Sequence, residues 1–194
     1  MNDKKIKVAI ALASEDIMHT STAQAIGCAI IAEPRIVDFL VYKGCDIASA
    51  RTQLVKKALE KEMTHLCFVD SDMFFPSEAI TKLLAHKKEI VGCEYNKRQF
   101  PLEKVTQPLV EGGESKTELY QARAAGCGLL LIDLSIFTNK DKPMGTPYFN
   151  FGRDREGKLV TGEDIWFISI ARDSGYNTWI DPTILTKHLG EFPY

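Results

Sequence analysis

The apolar run His65-Leu66-Cys67-Phe68-Val69 ends directly on Asp70-Ser71-Asp72. A short apolar run of this kind predicts a buried β-strand, which we place over residues 63–69. Side chains at positions i and i+2 of an extended segment point the same way, so both carboxylates are expected on one side of the strand end. Ligands of open α/β sheets bind outside the carboxyl ends of strands, so this pair lies where a binding site is expected.

On both sides of this strand, apolar runs alternate with helical patterns along the chain. The predicted strands cover residues 7–12, 36–42, 63–69, 89–93, 128–132 and 178–180, and the predicted helices cover 23–31, 47–62, 77–86 and 163–174. Ser77 is the expected N-cap of the third helix. Residues 95–123 are polar, with a turn at Gly112-Gly113 and no predicted strand. This alternation is typical of an α/β domain with a largely parallel sheet.

Length and composition fit one globular domain over residues 1–194. Hydrophobic residues make up 45% of the chain and charged residues 26%, which is enough apolar material for one core. The formal net charge of -2 means that nothing global draws the protein to nucleic acid or to an anionic membrane.

The cysteines and the apolar runs predict a cytoplasmic protein. Five cysteines are scattered without short metal-type spacing, and Cys67, Cys93 and Cys127 lie in apolar runs, where cysteine behaves as a small buried hydrophobe. An odd, buried set argues against a disulfide framework and for a reducing compartment. No apolar stretch approaches the roughly 18 residues of a membrane span, and no signal-peptide pattern is present.

The acidic pair Asp70 and Asp72 predicts a divalent-metal site that holds a nucleotide diphosphate. Two carboxylates this close repel each other unless one is protonated or a cation lies between them. Hard divalent cations prefer such oxygen ligands and share their coordination with substrate phosphates. The alternative is a solvated loop in which Asp70 only caps the following turn.

Two later features add candidate chemistry. Glu163 and Asp164 open the predicted helix 163–174, where acidic residues either complement the helix dipole or supply a general base for an attacking hydroxyl. His188 follows the last predicted strand, and a neutral imidazole there could complete the coordination sphere that Asp72 begins. Mixed oxygen and nitrogen ligands would suit Mn²⁺ better than Mg²⁺.

An ordered set of motifs runs through most of the chain: residues 50–55, 66–73 with Pro76, 90–93 with Tyr95 and Arg98, 126–132, 162–167, Gly175-Tyr176 and 188–190. This set resembles GT-A fold glycosyltransferases, in particular the short family-2-like enzymes of bacteria, phages and large viruses. The resemblance implies a GT-A-type (Rossmann-like) three-layer α/β/α domain with a mostly parallel central sheet. It also implies an enzyme of the hexosyltransferase type that moves a sugar from a nucleoside-diphosphate sugar to a hydroxyl acceptor.

The resemblance assigns roles to the metal and acceptor residues. Asp72 would ligate the Mn²⁺ (or Mg²⁺) that bridges the donor diphosphate, and His188 matches the late metal ligand of this fold. Asp70 would lie near the ribose or assist the metal. Glu163 and Asp164 would lie near the acceptor, and Asp164 matches the usual base of inverting members.

The resemblance also implies contacts to the donor. Ala11, Ala13 and Ser14 match the loop at the end of the first strand that cradles the base and ribose. Arg51 and Arg98 match basic positions that touch the donor, and Ser71 belongs to the same donor-contacting set. The aromatic loop Tyr148-Phe149-Asn150-Phe151 either stacks on a sugar ring or fastens itself to the core.

Two rival functions remain. A nucleotidyltransferase would need a Gly-rich, basic phosphate loop, and residues 11–16 are neither. A catalytically silent nucleotide-sugar-binding module is the other rival, and the intact Asp70, Asp72, Asp164 and His188 argue against it. The sugar, the acceptor (a glycan, lipid carrier, protein or modified nucleic-acid base) and the oligomeric state are left open by the sequence.

Overall fold

A computed structural model describes residues 5–14, 16–44 and 46–190. Its four helices are α1 Thr20–Ala32, α2 Ile47–Glu60, α3 Ala79–Ala85 and α4 Glu163–Asp173. Its strands are β1 Val8–Ala13, β2 Ile36–Tyr42, β3 His65–Val69, β4 Met73–Phe74, β5 Ile90–Cys93, β6 Gln107–Pro108, β7 Tyr120–Ala124, β8 Leu129–Asp133, β9 Gly152–Arg153, β10 Leu159–Thr161, β11 Thr178–Asp181 and β12 Lys187–His188. A short 3₁₀ helix, Leu134–Phe137, follows β8.

Eight strands form one sheet in the order β2-β1-β3-β8-β5-β11-β7-β6. The strands β2, β1, β3, β5, β11 and β6 run in one direction, and only β8 and β7 run in the opposite one. The mostly parallel sheet of the prediction is therefore confirmed. Two small antiparallel pairs, β9 with β10 and β4 with β12, lie outside this sheet.

The alternation of side chains along β3 explains the three layers. Leu66 and Phe68 join the core under α2 and α4, whereas Cys67 and Val69 join the core under α1 and α3. Because both faces of the strand are covered by helices, the strand is apolar without a polar face. The sheet thus lies between two pairs of helices, in the predicted α/β/α arrangement.

Some boundaries differ from the prediction. Strand β7 lies in the stretch where no strand was predicted, because only its alternate residues, Tyr120, Ala122 and Ala124, are buried and two of these are alanines. The prediction of Ser77 as a helix cap is wrong. The helix α3 begins later, with Glu78 at the N-cap, and the Ser77 hydroxyl donates to the Glu78 carboxylate at 3.3 Å.

Two further findings concern membrane-spanning helices and the cysteines. None of the helices in the described ranges combines the length and the apolar character that crossing a bilayer requires. Cys28, Cys67, Cys93 and Cys127 are free thiols, whereas Cys45 lies outside the described residues, as does Glu15 of the first loop.

A buried carboxylate ties the α1–β2 connection to α3. Glu33 follows the last residue of α1, and its carboxylate accepts hydrogen bonds from Arg35 Nε at 2.7 Å, Arg35 Nη2 at 2.6 Å and Thr81 Oγ1 at 2.9 Å. The hydrogen bonds from Arg35 lower the pKa of Glu33 to about 2, against the opposing effect of burial.

We expect Glu33→Gln to lower the free energy of unfolding by about 2–3 kcal/mol at pH 7, because Arg35 loses its buried charge partner. The folded pKa lies below the ordinary value of 4.5, so this contribution is present above pH 4.5 and is lost as the pH falls towards 2. Urea denaturation at pH 7 and at pH 3 measures both effects. The exposed Glu60→Gln is the control, and an equal loss for Glu33→Gln at both pH values would contradict the assignment.

Candidate active site

The segment after β3 turns at once, and the turn separates the two carboxylates. The Asp70 N–H donates to the Gly128 carbonyl at 3.1 Å, and the Met73 N–H donates to the Asp70 carbonyl at 3.3 Å. The alternation of an extended strand therefore does not extend through Ser71 and Asp72. Asp70 and Asp72 contact different partners: Asp70 bonds Arg51, whereas Asp72 lies against His188 and Arg98.

Strand pairing brings His188 to Asp72. The short strand β12 pairs antiparallel with β4, with His188 opposite Met73, and the Leu189 N–H donates to the Asp72 carbonyl at 2.6 Å. His188 Nε2 lies 3.3 Å from Asp72 Oδ1, and Arg98 Nη1 lies 2.8 Å from Asp72 Oδ2. The Asp72 side chain is 13% exposed and that of Arg98 53%, so this cluster lies at the surface end of the site.

The imidazole of His188 is oriented by a backbone carbonyl. Its Nδ1 lies 3.2 Å from the Asn96 oxygen, which can only accept, so Nδ1 carries a proton and Nε2 is directed at Asp72. Burial raises the pKa of Asp72, but the hydrogen bond and charge of His188, together with the charge of Arg98, lower it overall. A neutral Nε2 and a carboxylate are both acceptors, so their approach calls for a proton or a cation.

The donor set fits a divalent cation. Neighbouring ligands of an octahedral ion with bonds near 2.1 Å lie about 3 Å apart, close to the 3.3 Å between Asp72 Oδ1 and His188 Nε2. Within the described ranges, no group of three or more His, Cys, Asp or Glu side chains could hold a metal ion by itself. The predicted third ligand, Asp70, is engaged by Arg51. Two protein ligands suit an ion that takes its remaining ligands from phosphate and water.

A cavity of about 690 Å³ adjoins Asp72. Ala13, Ser14 and Ala50 are among the residues on its wall, together with Ser71, Asp72 and Arg98. Four predicted donor contacts, Ala13, Ser14, Ser71 and Arg98, therefore line one cavity. Ala11 does not reach this wall, because it is fully buried within β1.

Arg51 is not among the residues that line this cavity. It projects from α2, is 4% exposed, and donates from Nη2 to Asp70 Oδ1 at 2.8 Å and from Nη1 to Glu163 Oε1. Burial opposes its charge, but the acidic groups around it raise the pKa of Arg51 above its ordinary value. Arg51 therefore has almost no surface with which to contact a donor.

Glu163 and Asp164 differ in their surroundings although they are adjacent. Glu163 is bonded to Arg51, whereas Asp164 has no ion-pair partner in the described part of the chain and accepts only the Ile165 N–H, at 2.7 Å. Burial raises the pKa of both carboxyls, and the charge of Arg51 opposes that rise. Of the two, Asp164 is the carboxylate that is free to accept a proton.

The aromatic loop is fastened to the core. Phe149 is buried, stacks on Phe167 at 4.8 Å between ring centroids and meets Phe68 edge-on at 5.5 Å. Tyr148 packs on Phe137 at 4.7 Å. Of the two alternatives for this loop, the packing role is the one that the contacts of these rings describe.

Tyr95 and Asn96 contribute to the site although no role was predicted for them. The Tyr95 ring meets His188 edge-on at 5.6 Å, and its hydroxyl accepts the Gly128 N–H at 2.9 Å. The paired glycines in Gly126-Cys127-Gly128 are the sequence signal for such a close approach. Asn96 acts through its backbone carbonyl, so no side-chain pattern could have identified it.

Solved structures provide the comparison for this fold. A197 from STIV matches 96% of this chain and 87% of its own, with a TM-score of 0.70 and 15% sequence identity. GalNAc-T7, solved with UDP, GalNAc and Mn²⁺, matches 97% of this chain with a TM-score of 0.64 and 12% identity. The chain covers 45% of the GalNAc-T7 chain. No protein-family model and no curated protein sequence matches the chain. At these identities the likeness concerns the fold, which is of the GT-A glycosyltransferase type.

We expect Gly126→Ala to destabilise the site. An added Cβ would overlap the Tyr95 hydroxyl oxygen and lie 2.7 Å from Val105 Cγ1, so the Tyr95 ring against His188 must shift. The expected cost is about 1–3 kcal/mol of unfolding free energy, measured by urea denaturation. Gly145→Ala is the matched control, since its Cβ would meet no atom of the described residues within 4 Å. Equal stability of the two variants would refute this packing.

Proposed function

We propose that the chain is a metal-dependent glycosyltransferase that moves a sugar from a nucleoside-diphosphate sugar to a hydroxyl acceptor. The observation that carries the proposal is the cluster of Asp72, His188 and Arg98, in which Asp72 and Arg98 line the cavity and His188 contacts Asp72. It combines two ligands for a divalent cation with an exposed guanidinium. That combination suits the two charged oxygens of a diphosphate.

The chemistry of sugar transfer matches this charge arrangement. Negative charge builds on the departing nucleoside diphosphate as the glycosidic bond breaks, and Arg98 would stabilise it most in the transition state. A divalent cation, Mn²⁺ or Mg²⁺, held by Asp72 and His188 would supply further neutralisation of the same charge. Asp70, whose side chain is 29% exposed, would contact the donor ribose or assist the cation with the oxygen that Arg51 leaves free.

Asp164 is proposed as the base of an inverting reaction. The acceptor hydroxyl loses its proton to the Asp164 carboxylate while its oxygen bonds to the sugar carbon, and the nucleoside diphosphate leaves from the opposite face. The absence of an ion pair in the described residues around Asp164 supports this choice over Glu163. Its raised pKa makes it a better proton acceptor than an exposed aspartate.

We expect Asp72→Asn and His188→Ala each to weaken Mn²⁺-dependent UDP binding by about 100-fold, since either change removes one of two protein ligands. UDP and Mn²⁺ are the first probes because GalNAc-T7 was solved with both. Calorimetric titration with Mn²⁺ and with chelator measures the effect.

The control for this titration is His86→Gln. His86 also pairs with a carboxylate, that of Asp181 at 2.8 Å, but neither residue is among those that line the cavity. Its UDP affinity should equal that of the wild type. Wild-type affinity in the Asp72 variant would remove the basis for the metal site.

Asp164→Asn should lower the transfer rate by about 10²–10⁴-fold, because the amide cannot accept the hydroxyl proton, while UDP–Mn²⁺ affinity stays within about 2-fold. In the wild type the rate should fall as the pH drops through the raised pKa of Asp164, since the protonated acid is not a base. Transfer assays across nucleotide sugars and simple hydroxyl acceptors between pH 4 and 8 measure both. Binding without any turnover in the wild type would favour the silent binding module instead.

A further inference from the structure

Three parts of the fold meet at the guanidinium of Arg51. Its stem comes from α2, Nη2 bonds Asp70 at the end of β3, and Nη1 bonds Glu163 at the first position of α4. The donor-side strand and the acceptor-side helix are thus joined through one side chain. Its carbon Cζ also lies 5.9 Å from the centre of the ring of Phe68, which is in β3.

We propose that Arg51 is a positioning residue that holds the first turn of α4 against the end of β3, so that Asp164 faces the donor site. This inference rests on the proposed function and replaces the predicted donor contact of Arg51 with an indirect role. The guanidinium touches no substrate in this arrangement. It acts through Glu163, the residue that precedes the base.

The start of α4 needs such a tie. Its N-cap is Gly162, which has no side chain to bond the free N–H groups of the first turn, so the helix lacks the usual cap. An added Cβ at Gly162 would lie 2.8 Å from Asp164 Oδ1, so the glycine leaves room for the base. The bond from Glu163 to Arg51 anchors a turn whose N-cap residue cannot do so.

The Asp70 end of the Arg51 contact is held rigidly by the sheet. Asp70 directly follows β3, which lies between β1 and β8 in the middle of the sheet, and its N–H is bonded to Gly128. Loss of the guanidinium should therefore release α4 and leave the strand in place. This asymmetry predicts a loss of turnover without a matching loss of donor binding.

The energetics favour a positional role over a purely stabilising one. Arg51 is 4% exposed, and its fully buried Nε has no hydrogen-bond partner among the residues that the structure describes. A buried polar group left unbonded is destabilising, and a buried ion network is weak evidence for stability. A well-packed apolar side chain would fill the same space without that cost but could not hold two carboxylates.

The test compares Arg51→Met, Arg51→Lys and Glu163→Gln with the wild type. Methionine removes both bonds at similar length, lysine keeps the charge but cannot reproduce the two-pronged contact, and glutamine weakens the tie from the α4 end. The matched control is Glu33→Gln, which also breaks the contact of an arginine with a buried carboxylate but lies outside the site. It should lose stability and keep kcat.

We expect Arg51→Met to lower kcat by about 100-fold, as for a misplaced catalytic group, with UDP–Mn²⁺ affinity and donor KM within about 3-fold of the wild type. The kcat of Arg51→Lys should lie between that of Arg51→Met and that of the wild type. Amide hydrogen exchange over residues 162–168 should be faster in Arg51→Met and Glu163→Gln than in Glu33→Gln. Donor affinity falling in step with kcat would overturn the proposal, because it would make Arg51 a donor contact.

Amide hydrogen exchange tests the positioning role of Arg51 separately from the proposed function. If the wild-type protein transfers no sugar, the proposed function fails. The exchange comparison still shows whether Arg51 holds the first turn of α4 against the end of β3. Unchanged exchange over residues 162–168 in Arg51→Met would overturn the positioning role, even for an active enzyme. Faster exchange in the Arg51 and Glu163 variants alone would support it.

Discussion

The pairing of β3 with β1 on one side and β8 on the other is the constraint from which the site is built. The strand is buried on both faces, and it pairs with β8 along its whole length and with β1 from His65 to Phe68. Where it ends, Asp70 takes a last bond from the sheet through Gly128 and the chain turns. Each carboxylate that follows is therefore presented from a rigid base, which lets a few hydrogen bonds set the directions of Asp70 and Asp72.

After the turn that follows β3, Asp70 and Asp72 make different contacts. Asp70 is directed at Arg51 and through it at the start of α4, whereas Asp72 meets His188 and Arg98 at the cavity. In the proposed function, Asp72 would serve the donor side and Asp70, through Arg51, the acceptor side.

The sequence predicted strands correctly where a local run of apolar residues marks them. The apolar runs placed β1, β2, β3, β5, β8 and β11, and the GT-A resemblance gave the three-layer fold that the comparisons support. The prediction failed at β7, whose buried face carries alanines at Ala122 and Ala124 and so lacks a hydrophobic signal. It also failed at Ser77, since a good capping residue is used only where the helix begins beside it.

The sequence by itself determined the chemistry available: two carboxylates at a strand end, an acidic pair at a helix start and one late histidine. Only the tertiary structure decided which of these side chains contact one another. His188 reaches Asp72 through the pairing of β12 with β4, across more than a hundred residues of chain. Arg51 is enclosed because α2 packs onto β1 and β2 and the guanidinium lies over the Phe68 ring of β3. Such contacts depend on the packing of distant elements, which residue spacing does not encode.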